Sequence, residues 1–220
     1  MAETGAPSLQ SMAYERIADL YDAYVTADFD IPFFVQAAGQ TAGPVLELMS
    51  GTGRVSVSLA EAGVRLTCVD NSPAMLAVLR QKLAARDLHA AVHCMDVREL
   101  ALPGRYELIV IPFNAFCELV SPADQRAALA CIRGCLAGGG RFICTLHNGP
   151  VRLKQLDGQL HLAGRYRLAA SEETLLGYFM HRQAPEPGTV EGVNLYELYD
   201  AAGVMRAKRL FEVHYCLHSY

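Results

Sequence analysis

Apolar positions recur along the chain with two different periods, and this difference predicts the secondary structure. Compact apolar runs bounded by turn-forming residues predict strands at 45–49, 64–69, 89–94, 106–111 and 141–147. Between them, apolar residues recur every three or four positions and predict helices at 54–62, 73–86 and 122–136. Because the strands alternate with helices, we expect an α/β fold with a doubly wound, mostly parallel sheet.

The two ends of the chain differ from this middle part. Residues 11–38 show helical periodicity, and a second helix is predicted to begin at Asp30-Ile31-Pro32. After Pro150, apolar and polar residues alternate in segments that predict an antiparallel meander beside or above the sheet: 158–168, 174–182, 190–199 and 205–217. We therefore divide the chain into an α/β domain over 1–150 and an antiparallel β appendage over 151–220.

Composition narrows the function classes for these 220 residues. A net charge of -4 offers no basic surface to nucleic acid or to an anionic membrane. No apolar run is long enough to predict a membrane span, and residues 1–11 lack the basic and apolar regions of a signal peptide. The seven cysteines are irregularly spaced, which indicates reduced thiols in a cytoplasmic protein and no metal site.

The stretch from Val45 to Val57, "VLELMSGTGRVSV", carries the first chemical signal. An apolar strand leads into a glycine-rich turn, as in sites that hold a dinucleotide or S-adenosylmethionine. The dinucleotide fingerprint needs a third glycine where this chain has Ser56. Asp70, at the end of the next predicted strand, suits a ribose in either cofactor, so the turn alone leaves both open.

Three downstream features separate the two cofactors. Glu47, inside the first strand, would repel a pyrophosphate, whereas it complements the positive charges of S-adenosylmethionine. Asp96 and Val97 follow the third strand, where a carboxylate can accept a hydrogen bond from adenine. Phe113 and Asn114 follow the fourth strand, where the reactive end of the ligand would lie. These features favour S-adenosylmethionine and leave a dinucleotide oxidoreductase as a distant alternative.

Five segments resemble, in order, the motifs of class I S-adenosylmethionine-dependent methyltransferases: "ELMSGTGR", "CVDNSPAML", "CMDVREL", "IVIPFNAF" and "LAGGGRFICTLHN". The resemblance covers about half of the chain, from Val45 to Asn148. "YERIADLYDAY" is similar to the aromatic entry helix of many small-molecule members, in which Tyr21 or Tyr24 would cap the cofactor. The resemblance implies a Rossmann-like domain with N-terminal helices, followed by a β lid similar to that of small-molecule N-methyltransferases.

The resemblance also implies which residues bind the cofactor. They are Tyr21, Tyr24, Glu47, Ser50, Gly51, Thr52, Gly53, Arg54, Asp70, Asn71, Met75, Asp96, Val97, Phe113 and Asn114. Among them, Glu47 would handle the ammonium group, Asp70 the ribose hydroxyls and Asp96 the adenine edge. Phe113 and Asn114 would line the methyl donor.

The sequence says less about the methyl acceptor, because methyl transfer needs mainly alignment of the reactants and exclusion of water. A catalytic base is needed only when the acceptor is a weak nucleophile. His147, at the end of the fifth predicted strand, is the candidate base. The acidic composition and the absence of an "NPPY"-type motif indicate a small-molecule acceptor, methylated on nitrogen or oxygen. Lids of this kind often pair two subunits, so a homodimer through the lid is a further hypothesis.

One departure from the family pattern leaves the activity open. The fold usually continues with a helix and an antiparallel strand pair, and the sequence up to Tyr220 offers neither. Strand five would then be an unprotected edge, which proteins generally avoid. The meander, a partner or a shortened sheet would account for this edge. The alternative to an enzyme is therefore an S-adenosylmethionine-binding but inactive or accessory protein.

Overall fold

The computed structural model describes residues 14–168 and 171–218. The helices are α1 (Ala18–Tyr24), α2 (Ile31–Gly39), α3 (Ser56–Glu61), α4 (Pro73–Ala85), α5 (Pro122–Cys135) and α6 (Gly149–Leu153). The strands are β1 (Val45–Leu48), β2 (Leu66–Asp70), β3 (Ala91–Cys94), β4 (Tyr106–Ile111), β5 (Leu136–Cys144), β6 (His161–Arg167), β7 (Thr174–Gln183), β8 (Thr189–Tyr199) and β9 (Met205–Cys216). A short 3₁₀ helix, Ala115–Glu118, follows β4. Within the described ranges, no helix combines the length and the apolar character that crossing a membrane requires.

The first five strands form a parallel sheet in the order β3-β2-β1-β4-β5. Val45 of β1 pairs with Leu66 of β2 on one side and with Leu108 of β4 on the other. The chain thus winds away in opposite directions from β1 and β4. The crevice at the carboxyl ends of these two strands is where doubly wound sheets bind their ligands.

Alternate side chains of the central strands fill two apolar clusters, one on each face of the sheet. On one face, Val45 packs with Phe34 of α2 and Leu79 of α4. On the other face, Ile109 packs with Ile132 of α5. Each of these large side chains is almost fully buried, and such burial contributes about 1.5–3 kcal/mol per side chain. This packing fixes the strand ends that carry the candidate site.

The last four strands form an antiparallel sheet in the order β6-β7-β8-β9. We call this sheet, residues 161–216, the lid. On β9, Phe211, Val213 and Tyr215 are buried while Glu212 and His214 between them are exposed, so one face of the lid turns inward. Phe211 and Val213 belong to a cluster that includes Ile17 and Leu20 from the N-terminal part of the chain. The segment that contains Ile17 and Leu20 therefore packs against the lid.

The fold class agrees with the prediction, and three details differ from it. Residues 25–30 interrupt the predicted N-terminal helical stretch. Asp30 precedes α2 without capping it, because its carboxylate accepts hydrogen bonds from Arg54 instead. The fifth strand spans Leu136–Cys144 rather than 141–147, so His147 lies three residues beyond its end. Leu136 pairs beside Tyr106, and the register then shifts across the glycines that follow.

The meander does not cover the edge of the parallel sheet. In the described part of the chain, the strands of the lid pair only with one another, and β5 is an outer strand of the first sheet. Of the three explanations offered for this edge, the one in which the meander pairs with it is therefore wrong, and a partner or a shortened sheet stays a prediction. The division of the chain at residue 150 stays a prediction.

Candidate functional site

The glycine-rich turn after β1 is hydrogen-bonded to the end of β2 and packs against the middle of α4. Gly51 N donates to Asp70 Oδ2 at 2.8 Å. Gly51 and Gly53 have φ angles of 55° and 83°, in the left-handed region that glycine tolerates best. A Cβ on Gly53 would clash with Leu79 of α4, whereas a Cβ on Gly51 would meet no atom within 4 Å. Gly53 thus serves close packing, and Gly51 borders open space.

Glu47 lies inside β1 with only 1% of its surface exposed. Ser56 Oγ, at the start of α3, donates to its Oε2 at 2.6 Å. Burial raises the pKa of Glu47 to about 8, against the opposing effects of the Ser56 hydrogen bond and the positive charge of Arg54. Glu47 is therefore mostly protonated at neutral pH, and a cation bound beside it would favour the ionised form.

Asp70 holds two turns at once, since it also accepts from Ser72 N at 2.9 Å. Burial raises the pKa of Asp70, and the backbone hydrogen bonds oppose this shift. Ser72 in turn caps α4 by accepting from Met75 N at 3.2 Å. Asn71 and Met75 line the same cavity as Asp70. The sequence therefore brings these three residues together as expected.

Asp96 is engaged by its neighbour Arg98. Nε and Nη2 of Arg98 donate to the two carboxylate oxygens of Asp96 at 2.9 and 2.6 Å. Burial works to raise the pKa of Asp96, but the hydrogen bonds from Arg98 prevail and hold it below its ordinary value. Nη1 of Arg98 donates to Asp124 at 2.9 Å. Asp96 and the buried Val97 line the cavity, and Asp96 does so as part of an ion-pair network.

The turn after β4 has a strained backbone. Phe113 and Asn114 have φ angles of 56° and 63°, and Met49 at the end of β1 has 56°. Non-glycine residues in this region cost about 1–3 kcal/mol each and concentrate at functional sites. Asn114 N donates to Thr145 Oγ1 at 3.0 Å, which ties the turn to the end of β5. The guanidinium of Arg54 lies 4.3 Å from the centre of the Phe113 ring.

An aromatic seam closes one side of the cavity. Tyr21 contacts Tyr24 with ring centres 5.4 Å apart, and Tyr24 contacts Tyr196 of the lid at 4.6 Å. Tyr196 stacks on Phe211 at 5.9 Å. The seam joins the N-terminal helix to the lid directly beside the strand ends. Both tyrosines implied by the resemblance therefore line the cavity.

A half-buried acid, Glu118, lies in the short helix after β4 and contacts Tyr14. Tyr14 OH donates to Glu118 Oε1 at 2.7 Å. Burial raises the pKa of Glu118 to about 7, and the hydrogen bond from Tyr14 opposes this shift. A carboxyl with this pKa can exchange a proton near neutrality.

Polar side chains from the lid and from residues 147–152, which follow β5, form another part of the cavity wall. The ring of His147 lies 5.2 Å from that of Tyr215. Arg152 Nε donates to Tyr215 OH at 2.8 Å, and Arg152 Nη2 lies 2.7 Å from His181 Nδ1. Burial lowers the pKa of His147, and the positive charge of Arg152 and the proximity of His181 lower it further. His147 is therefore neutral near pH 7.

These groups surround one cavity of about 470 Å³. All residues that the sequence implicates line it, except Gly53, which is buried against α4. The cavity also includes residues that the sequence analysis did not assign: Tyr14, Arg152, His181, Asn194, Tyr196, Phe211 and Tyr215. For Phe211 and Tyr215 on β9, the alternation of apolar and polar positions in the sequence could have indicated that their side chains point inward. For Arg152 and His181 no motif gave one.

Residues 45–140 match the family model described as "Methyltransferase domain". The chain is 34% identical over 106 residues to the cypemycin N-terminal methyltransferase of a Streptomyces species. This alignment covers 46% of this chain and 41% of that protein. It is 30% identical over 194 residues to the glycine/sarcosine N-methyltransferase of Parasynechococcus marenigrum (strain WH8102), which covers 84% of this chain and 67% of that protein. The chain belongs to the class I S-adenosylmethionine-dependent methyltransferases.

A solved structure of a family member shows the same fold. The S-adenosylmethionine-dependent methyltransferase from Clostridium acetobutylicum ATCC 824 superposes with a TM-score of 0.74 at 20% identity, over 93% of this chain and 82% of that one. The chain spans 41–51% of the length of four of the curated relatives it matches.

The cavity fits S-adenosylmethionine, the cofactor of this family. Of the buried side-chain polar atoms in the described ranges, Ser50 Oγ alone has no hydrogen-bond partner, and it lies in the turn that would face the ligand. The strand ends offer carboxyl groups, which suit ammonium, sulfonium and hydroxyl groups. The basic side chains around the turn already pair with acids: Arg54 with Asp30, Lys82 with Asp22 and Arg98 with Asp96. The turn therefore suits a phosphate-free cation better than a pyrophosphate.

Proposed function

We propose that this chain transfers a methyl group from S-adenosylmethionine to a nitrogen or oxygen atom of a small-molecule acceptor. The observation that carries the proposal is the continuity of the cavity. The strand-end residues of the methyltransferase fold and the polar residues of the lid line the same space of about 470 Å³. A space of this size, walled by aromatic rings and a few polar groups, is typical of small-molecule sites. The net charge of -4 makes nucleic acid an unsuitable partner.

The strand-end residues would hold the cofactor. Glu47 and Ser50 would receive its ammonium and carboxylate end. Asp70 would accept hydrogen bonds from the ribose hydroxyls, with Met75 and Val97 in contact with the adenine. When bound, S-adenosylmethionine supplies an electrophilic methyl group for in-line displacement. The turn at Phe113 and Asn114 and the aromatic seam would align the acceptor and exclude water, which is the main contribution a protein makes to such a transfer.

Two groups near the acceptor end are placed to take a proton. His147 is neutral near pH 7 and is our candidate base for a protonated amine or a hydroxyl. Glu118, with a pKa near 7, is the second group that can accept one. We favour nitrogen as the acceptor atom, because the names of two relatives indicate methylation of nitrogen. One is the cypemycin N-terminal methyltransferase and the other is the glycine/sarcosine N-methyltransferase.

Calorimetric titration with S-adenosylmethionine, S-adenosylhomocysteine and NAD tests the cofactor. We expect binding of the first two and none of NAD. Turnover with a panel of amines and alcohols tests the reaction, with S-adenosylhomocysteine formation as the readout. NAD binding without S-adenosylmethionine binding would overturn the proposal.

A second candidate is a protein that binds the cofactor without turnover. The uncovered edge of β5 in the described residues favours it, because family sheets usually continue beyond this strand. Cofactor binding without turnover across the whole acceptor panel would support this candidate.

We further propose a homodimer formed through the lid. Leu160, Leu162 and Leu210 are each at least half exposed on or beside the lid, and a second copy would cover them. Analytical ultracentrifugation that shows only monomer at high protein concentration would contradict this assembly. The seven free cysteines fit a reducing compartment, and we propose a cytoplasmic location, which cell fractionation would test.

A further inference from the structure

The charges along the cavity are unevenly distributed. Its wall contains three arginines, Arg54, Arg98 and Arg152. Arg54 pairs with Asp30, and Arg98 pairs with both Asp96 and Asp124. Within the described ranges, Arg152 makes no ion pair with an acidic side chain. A cavity-lining guanidinium without an acidic partner is chemically suited to an anion.

Neutral partners hold Arg152 in place. Nε donates to Tyr215 OH at 2.8 Å and Nη1 donates to Gln155 Oε1 at 3.2 Å. Nη2 lies 2.7 Å from His181 Nδ1. A guanidinium has five N–H groups, so these contacts leave two N–H groups for a ligand. The fixed, planar fork suits the two oxygens of a carboxylate or a phosphate.

The tautomer of His181 follows from its two contacts. Because arginine can only donate, His181 Nδ1 accepts, and the ring proton resides on Nε2. Nε2 then donates to Asn194 Oδ1 at 2.9 Å. Burial lowers the pKa of His181, and the neighbouring Arg152 lowers it further, so the ring stays neutral. Neither His181 nor Tyr215 compensates the charge of Arg152.

We propose that Arg152 binds an oxyanion of the acceptor, so that the acceptor is a small amine or alcohol that also carries a carboxylate or phosphate. This inference rests on the proposed function and names its substrate class. The acidic side chains of Glu47 and Asp70 line the cavity at the strand ends that suit the cationic cofactor. Arg152 lies instead beside Tyr215 and His181 of the lid, in the part of the cavity that we call the acceptor end. An acceptor anchored there by its anion would present its amine or hydroxyl beside His147.

Matched pairs of acceptors test this assignment. Protein saturated with S-adenosylhomocysteine is titrated with amino acids of increasing size, with the corresponding amino acid amides, and with O-phosphoethanolamine beside ethanolamine. We expect the member with a carboxylate or phosphate in at least one pair to bind about tenfold or more tightly than its counterpart without an oxyanion. The carboxylate and phosphate arms show which oxyanion the site takes.

Substitutions at Arg152 test whether this residue causes the preference for the anionic acceptor. Arg152→Gln is expected to abolish the preference for the anion, and Arg152→Lys to retain part of it, because lysine keeps the charge and loses the fork. Arg182→Gln is the matched control, since Arg182 pairs with Glu191 on the lid and does not line the cavity. Unchanged affinity for S-adenosylhomocysteine verifies that each variant is folded.

Two results overturn the inference. One is equal or weaker binding of the anionic members by the wild-type chain, including no binding of any member. The other is an anion preference that survives in Arg152→Gln. Failure of the proposed function is seen separately, as a loss of S-adenosylmethionine binding by the wild-type chain before any acceptor is added.

Discussion

The buried carboxyl of Glu47 makes the stability of the ligand-free chain depend on pH. Its pKa is about 8 in the folded chain, against an ordinary value of 4.5. Between these values the folded chain holds a proton that the unfolded chain has released. Stability is therefore lost as the pH rises through this interval. The slope is about 1.4 kcal/mol for each pH unit.

Glu47→Gln removes this dependence while it keeps an oxygen that can accept from Ser56. We expect the wild-type free energy of unfolding to fall by about 3 kcal/mol relative to the variant between pH 5.5 and 7.5. Urea unfolding at several pH values measures this difference without ligand. The comparison with the variant matters because Glu118, with a pKa near 7, contributes in the same direction in both proteins.

The control is Glu61→Gln, at an exposed glutamate of α3. It should follow the wild-type pH dependence, since a surface ion pair contributes at most about 1 kcal/mol. If wild type and Glu47→Gln lose stability in parallel from pH 5.5 to 7.5, the folded chain does not bury a protonated Glu47. The reasoning about this carboxyl would then be refuted.

The other predictions concern the turn and the acceptor end. Gly51→Ala should lower the free energy of unfolding by about 1–2 kcal/mol and weaken cofactor binding. Gly53→Ala should lower the free energy of unfolding by about 1–3 kcal/mol more than Gly51→Ala, because its Cβ would clash with Leu79. Urea unfolding measures the stability of both variants, and calorimetry measures cofactor binding. Asp70→Ala should weaken S-adenosylmethionine binding roughly 10- to 150-fold in calorimetry, because charged hydrogen bonds contribute about 1.5–3 kcal/mol each. His147→Gln should remove the acidic limb of the turnover–pH profile, expected below pH 6.5 because burial lowers the pKa of His147.

Each of these predictions has an outcome that contradicts it. Equal stability of the two glycine variants would mean that the turn does not lie on α4. Unchanged affinity in Asp70→Ala would undo the assignment of the ribose site. A pH profile that is the same in His147→Gln would assign the proton transfer to another group, with Glu118 the next to test.

Local sequence patterns predicted the parallel sheet, and the strand-end residues that they single out line one cavity, while the binding role of these residues stays a prediction. The reason is that each motif follows its own strand, so the fold brings the ends of β1, β2 and β4 together without further information. The start of β5 was wrong, because pairing of Leu136 beside Tyr106 is a tertiary contact that the glycine run conceals. Local patterns do not reveal such pairings.

The acceptor end could not be predicted for a related reason. Arg152 and Tyr215 are 63 positions apart, and their contact depends on how the lid folds back over the sheet. The ion pairs of Arg98 with Asp96 and with Asp124 likewise depend on tertiary packing. They make Asp96 a member of a charged network rather than an isolated acid. The charge balance of the cavity therefore became visible only in three dimensions.

The left-handed backbone at Met49 and Phe113 has a consequence for laboratory evolution of this protein. Glycine would relieve the torsional strain at both positions, so selection for heat resistance alone should enrich glycine there. The same exchange would remove two side chains from the wall of the cavity. Thermostable lineages obtained without an activity screen are thus expected to accumulate poorly binding variants at these two positions, while a combined screen should retain the strained residues.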